Sequence, residues 1–257
     1  DILSLWYADG TNYPGQGNLR QRKHWLQDAH REVYAHLGDN HRMLIEYKFF
    51  EPAFYHTDLA DWGMAHNLAL KLGPKAQVLV DTGHHAQGTN VEHIVAFLLD
   101  EGALGGFHFN ARKYADDDLI VGSTNPYELF LIFFQIISAL RENGTTAAET
   151  AGRIAYMIDQ SHNIEPKIPA MIRSVLNCQT QFARALLIQW DRLREAQERN
   201  DVMAAEAVVR EAYEQDVTWW LRSIREEAGL PADPMAAFRE SGYAEKVAER
   251  GTCGASW

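Results

Sequence analysis

Cysteine is scarce in this 257-residue sequence: there are two, Cys178 on an expected helix and Cys253 in a polar tail. They form neither a zinc-binding pair nor a disulfide framework, so a reducing, cytoplasmic setting is the expectation. Positive charge is also short. Lys and Arg total 24 against 35 Asp and Glu, for a net charge of -11. That balance argues against a phosphate-tracking surface, and no nucleic-acid partner is expected. No apolar run is long enough to span a bilayer and no signal-peptide pattern is seen, so no membrane partner is expected. A Gly-x-Gly-x-x-Gly or Walker loop is missing. The nearest approach, "GALGG" at 102–106, precedes a strand rather than a helix, so a phosphorylated substrate is not supported. Repeats, low-complexity tracts and flexible interdomain linkers are missing too. The sequon Asn143-Gly144-Thr145 reads as a turn.

Hydrophobic residues make up 46% of the chain, enough for a large core. Short β-rich runs alternate with helical patterns up to Pro166. Strands are expected over 2–8, 43–49, 77–81, 105–110 and 154–159. Helices are expected over 18–37, 57–72 (with Thr57 and Asp58 as N-cap candidates), 90–101 capped by Asn90, and 126–141 with Pro126 in the first turn. This alternation implies an α/β fold of parallel strands covered by helices. Beyond Pro166 the strands stop, and 168–200, 203–228 and 234–249 read as helices rich in Arg and Glu. The pair Trp219-Trp220 leans toward a contact surface. The chain opens on "DILSLWYADG", already strand-like and without an initiator Met, so it reads as the C-terminal part of a longer protein.

The chemistry gathers where the strands end. "LIEYK" ends in Glu46 and Lys48, and "VLVDTGHH" in Asp81 followed by His84. "GFHFN" carries His108, "RKYADDDL" carries Asp116, Asp117 and Asp118, and "AYMIDQSHN" carries Asp159. In parallel α/β folds the C-terminal strand ends form the active-site face. A single acid at the end of an apolar strand is commonly a structural hydrogen-bond acceptor. Several aimed at one place would repel and protonate unless a cation held them. The set is rich in oxygen, has some imidazoles and no thiolate, which favours Mn²⁺, Mg²⁺ or Co²⁺. Lys48, two residues after Glu46, is read on the same strand face. It either balances charge or donates to a substrate oxygen that gains negative charge. Trp6 is either a core residue or an apolar wall for a sugar. His24, His30, His36, His41, His66 and His93 are taken as packing or surface residues, and His85 as at most a support for the site.

"SLWYADGTNYPGQG", "IEYKFFEPAFYHTD", "VLVDTGHH", "GGFHFNARKYADDDL" and "AYMIDQSHN" together resemble L-rhamnose isomerase, in its broad-specificity bacterial branch, over nearly the whole chain. The resemblance implies a (β/α)8 TIM barrel related to xylose isomerase, two divalent metals, usually Mn²⁺, and a homotetramer. It implies one metal held by Glu46, Asp81, His108 and Asp159. A second would be held by His84, Asp116 and Asp118, with Asp81 bridging. Lys48 and Trp6 match the family's substrate lysine and substrate-wall tryptophan. Family members are longer. About five of eight strands are expected here, with residues 1–165 as the partial barrel carrying the metal site. Residues 166–257 are expected to form a helical extension packing on the barrel or on a neighbouring subunit.

The implied activity is interconversion of L-rhamnose and L-rhamnulose, and of rare sugars such as D-allose and D-psicose. Two metals suit a hydride shift between C2 and C1; an enediol route is the alternative. Lys48 would bond O1, with Asp116 or Asp118 steering the O2 proton. The rivals are a sugar epimerase on a similar barrel, a metal-dependent nuclease of the same architecture, and an inactive fragment of the isomerase.

Overall fold

A computed structural model describes residues 1–7, 9–160 and 164–251. Ala8, at the end of the expected first strand, and Cys253 lie outside the described residues. So do Ser161, His162 and Asn163 of the "AYMIDQSHN" stretch. The chain divides into two compact units, Asp1–His162 and Asn163–Trp257.

The first unit is built on β1 (Ile2–Leu5), β3 (Arg42–Glu46), β5 (Ala76–Asp81), β6 (Leu104–Phe109) and β7 (Ala155–Ile158). They form one parallel sheet in the order β1-β3-β5-β6-β7, the arc of a half-barrel. Parallel neighbours need crossovers, and these are supplied by α1 (Leu19–Ala35), α2 (Trp62–Leu72), α3 (Val91–Asp100), α4 (Pro126–Leu140) and α5 (Thr146–Ala151). The central strands β3, β5 and β6 are buried on both faces and read as near-continuous apolar runs, whereas β1 is largely exposed and β7 partly so. Met43, Leu44, Ile45, Val78, Leu79 and Val80 are all fully buried. α2 packs on β5, and α3 and α5 pack on β6. Asn18, Asn90 and Asn125 cap α1, α3 and α4 with their side-chain oxygens, as short polar residues before a helix do. A second, two-stranded antiparallel sheet joins β2 (Gly10–Thr11) to β4 (His56–Thr57).

Three local expectations are corrected. The helix expected from residue 57 starts at Trp62, and Asp61 is its cap, accepting from Met64 N–H. Thr57 is instead paired with Gly10. Asp58 is held by Arg22, whose Nε and Nη2 donate at 3.0 and 2.6 Å. The strand expected to run to residue 49 ends at Glu46, so Lys48 stands in the following loop. There its N–H donates to Leu59 O (3.0 Å) and its carbonyl accepts from Thr57 Oγ1 (2.9 Å). Helix α5 falls in a stretch where no helix was expected. The glycines of "GALGG" serve packing: a Cβ on Gly105 would come within 2.2 Å of Leu44 Cδ2. The β5–β6 register also slips there, pairing Val78 with Leu104 and then Leu79 with Gly106.

The second unit is helical: α6 (Lys167–Leu186), α7 (Trp190–Glu198), α8 (Val202–Tyr213), α9 (Thr218–Glu227), α10 (Pro234–Glu240) and α11 (Tyr243–Glu249). α6 packs on α8, α9 and α10, and α7 on α8. Its buried positions are mostly small or aliphatic, among them Ala170, Ala183, Ala185, Leu193, Ala196, Val208 and Ala212, which let helices approach closely. Trp219 is 69% exposed.

Candidate metal centre

The sheet register assembles the site. After the slip at Gly105, Asp81 and His108 stand opposite each other on adjacent strands. Glu46 ends β3, and Asp159 follows β7, with its N–H donating to Phe109 O at 3.1 Å. Four neighbouring strands therefore carry donors to the same end of the sheet. Glu46, Asp81, His108 and Asp159 each offer a ligand atom within 4.8 Å of the others, and so do Asp81, His84 and Asp116. Asp81 belongs to both groups and is completely buried. A 4.8 Å limit suits a shared cation, because two ligands at 2.0–2.6 Å on opposite sides of an ion stand about 4–5 Å apart.

Proton bookkeeping tests whether these groups fit a cation. His84 Nδ1 lies 3.0 Å from the Tyr47 carbonyl, which can only accept, so Nδ1 carries the hydrogen. Nε2 then presents a lone pair 3.5 Å from Asp116 Oδ1 and 4.0 Å from Asp81 Oδ2. Acceptor faces acceptor, and Asp116 Oδ1 is buried without a hydrogen-bond partner. Both Glu46 oxygens lie 3.2 Å from imidazole nitrogens, Oε1 from His84 Nδ1 and Oε2 from His108 Nδ1. Neither contact has hydrogen-bond geometry, and both oxygens and His108 Nδ1 are left buried without a partner. Orphaned buried acceptors of this kind are costly, and a cation placed among them resolves the cost. The donor set fits a divalent ion bound by oxygen and nitrogen.

The electrostatics agree. Burial, followed by the charge of Glu46, raises the Asp81 carboxyl well above the usual carboxylate range. Burial lowers the His84 imidazole. Burial also pulls His108 down, but its contact with Glu46 outweighs this and leaves it raised. Asp118 is pushed up to about 7 by burial and by Asp116. It sits beside the second group with the left-handed backbone φ of 46°, a strained setting for a non-glycine residue. Its Oδ1 is reached by Asn110 Nδ2 at 3.4 Å, but it does not join the three atoms of that group. Lys48 Nζ is gripped by Glu51 Oε2 at 2.6 Å and Asp116 Oδ2 at 2.7 Å. Burial lowers its pKa, yet the two carboxylates win and raise it, so it is an ammonium. It lies 5.2 Å from the centroid of the Trp6 ring, which is 46% exposed. His85 belongs to neither group and bonds Tyr47 Oη through Nε2 at 2.6 Å. Of the other histidines, His30 and His66 are buried packing residues.

Three contributors escape the sequence reading. Glu51 holds Lys48, Asn110 bridges carboxylates, and Gly83 leaves room for them. A Cβ on Gly83 would stand 2.6 Å from Asn110 Oδ1, 3.1 Å from Asp116 Oδ1 and 3.2 Å from Asp81 Oδ1. Asn110 did leave a trace: it follows His108 by two at the end of "GFHFN", the spacing of one strand face.

The first unit is thus a parallel α/β half-barrel whose strand ends gather residues able to hold a divalent metal. No family profile matches the chain. It is similar to a protein of Rhizobium meliloti (strain 1021) named a probable sugar isomerase, 42% identical over 246 residues. A protein of Mesorhizobium japonicum that bears the same description is 41% identical over 246 residues. Both matches cover 96% of this chain and 56% of the relative, so the chain spans a little over half the length of the curated relatives it matches.

Proposed function

We propose that this chain carries the metal-binding and substrate-facing part of a divalent-metal-dependent aldose–ketose isomerase. Its substrate class is the free aldohexoses and deoxyhexoses, with L-rhamnose and L-rhamnulose as the first pair and D-allose and D-psicose as further substrates. The observation that carries this reading is the pair of carboxylate–imidazole groups sharing Asp81, with a buried ammonium, Lys48, at their edge. The similarity to proteins named probable sugar isomerases supports it. In this reading the sheet is the C-terminal part of a (β/α)8 barrel. The protein assembles as a homotetramer and works in the cytoplasm.

Glu46, Asp81, His108 and Asp159 would hold one ion; Asp81, His84 and Asp116, with Asp118 alongside, would hold the other. Two Mn²⁺ ions suit this donor set, with Mg²⁺ and Co²⁺ as alternatives. When bound, they supply polarisation of adjacent sugar oxygens, which favours hydride transfer from C2 to C1. Lys48, fixed by Glu51 and Asp116, donates to O1 as that oxygen gains negative charge. Asp116 or Asp118 would take the O2 proton as C2 becomes the carbonyl carbon, and that proton would return to O1 to complete the ketose. The exposed face of Trp6 covers the C–H side of the sugar and keeps water off it.

The test is the full-length protein stripped with a chelator and reloaded with Mn²⁺. Ketose should form from L-rhamnose only after reloading. Failure to isomerise any aldose in the loaded state would overturn the reading.

A further inference from the structure

Asn110 is 3% exposed and is set by a reciprocal pair of bonds before its side chain does anything. Its N–H donates to Thr82 Oγ1 at 2.9 Å, and that hydroxyl donates to the Asn110 carbonyl at 2.8 Å. The side-chain amide then reaches three carboxylate oxygens: Asp81 Oδ1 at 3.0 Å, Asp81 Oδ2 at 3.1 Å and Asp118 Oδ1 at 3.4 Å. The amide orientation follows from chemistry, because a flipped Asn110 would press its oxygen against three acceptors. With nitrogen forward, the group cannot coordinate a cation. It can fix the plane of a carboxylate that does. Among the described residues the other donor to Asp81 is the N–H of Gly83, at 2.7 Å on Oδ1, so Asn110 is the donor that reaches Oδ2 and sets the carboxylate's rotation.

We propose that Asn110 is a positioning residue that orients Asp81 to serve both cation positions and tethers Asp118 beside the second. The inference rests on the two-cation reading and deepens it. Its consequence is asymmetric. The group of Glu46, Asp81, His108 and Asp159 keeps three other ligands if Asp81 turns. The group of Asp81, His84 and Asp116 keeps two, and it also loses Asp118 from its side. Removing the amide therefore weakens the second cation far more than the first.

The experiment titrates Mn²⁺ into metal-free full-length protein by calorimetry and by electron paramagnetic resonance, with Asn110→Leu and Asn110→Asp beside the wild type. Wild type should take two equivalents that show spin coupling through a shared carboxylate. The variants should keep one equivalent near wild-type affinity and bind the second about 10–100-fold more weakly, with the coupling lost. Two coupled equivalents retained in Asn110→Leu would overturn the proposal. Equal weakening of both equivalents would too, because it would mark Asn110 as structural only. Asn110→Asp covers the chance that Leu disturbs folding, since it keeps the shape and removes the donors. Wild type that binds no Mn²⁺ would instead sink the two-cation reading itself, a result the variants cannot mimic.

Discussion

The two units place charge in opposite ways. In Asp1–His162, Glu46, Asp81 and His84 are 2%, 0% and 6% exposed. In Asn163–Trp257, the ion pairs of Arg192 with Glu211, Arg194 with Asp191, Arg199 with Glu195 and Arg210 with Glu206 leave 47–89% of each side chain in water. Solvated pairs lose little to desolvation and gain little from attraction. Buried carboxylates without donors cost several kcal/mol unless something compensates them. The helical surface therefore tolerates its charge at almost no cost, whereas the strand ends keep theirs against a standing penalty. That contrast singles out the strand ends as the place where buried charge calls for a compensating group.

The comparison breaks most sharply at Glu46, whose two oxygens touch imidazoles of both groups. Glu46→Gln should abolish Mn²⁺ binding at the first position while the metal-free protein melts no lower, since a repelling buried charge has gone. Each bound ion should add about 2.7 kcal/mol of stability at a concentration of 100 times its Kd, and the variant should lose the contribution of the first position. Thermal melts with and without Mn²⁺ measure this. A variant that keeps the full metal-induced gain would show that Glu46 is not a ligand.

Next in size is Lys48. If its ammonium stabilises charge on O1, Lys48→Met in the full-length enzyme should lower kcat by about 10²–10³-fold with Mn²⁺ stoichiometry unchanged. Loss of metal together with activity would make Lys48 a counter-charge to Asp116 and Glu51, and nothing more.

Gly83 tests geometry instead of charge. The methyl group of Gly83→Ala would collide with the Asn110 amide and crowd two site carboxylates. Mn²⁺ affinity should fall about 10–100-fold, with a stability loss of about 1–3 kcal/mol. An alanine variant that binds both equivalents normally would show that the turn can yield.

Much of this was legible in the sequence. Apolar runs that end in an acid located β3, β5 and β7 together with Glu46, Asp81 and Asp159, because a strand buried on both faces, as β3 and β5 are, leaves only its end for polar chemistry. What escaped depends on contacts distant in the chain. Asp58 looked like a helix cap because nothing local reveals that Arg22, 36 residues earlier, holds it. Glu51, only three residues from Lys48, is the local exception: it reaches Lys48 because the strand stops at Glu46 and a loop follows. Asn110 resembled an ordinary strand end, and only the register with β5 brings it onto Asp81.

Asp58 offers a milder, pH-dependent contrast with the metal site. Burial raises its pKa, but hydrogen bonds from Arg22 and His56 outweigh that and leave it below its ordinary 3.8. A depressed folded-state pKa contributes stability above the unfolded value and loses it as pH falls through the folded one. Its contribution should therefore be complete at neutral pH, begin to fade as pH falls past 3.8, and be gone below the lower folded-state value. Asp58→Asn should cost about 1–3 kcal/mol at pH 7 and flatten the acid limb of the stability curve. An unchanged acid limb would place the acid sensitivity elsewhere.

The smallest effect is expected on the helical surface, and it matters because it bounds the comparison from the other side. Arg192 Nη1 lies 2.9 Å from Glu211 Oε2, joining α7 to α8, and also reaches Gln189 Oε1 at 3.0 Å. By distance alone the ion pair is only slightly longer than those of Lys48 with Glu51 and Asp116, at 2.6 and 2.7 Å. Yet the two side chains are 49% and 47% exposed, so water competes for both partners and salt screens what is left. Arg192→Ala should therefore change unfolding free energy by less than about 0.5 kcal/mol, and the difference should vanish in 1 M salt. Paired denaturant melts at low and high salt would measure it. A loss of 2 kcal/mol or more, roughly what a desolvated charged hydrogen bond contributes, would mean that this face is covered in the working protein.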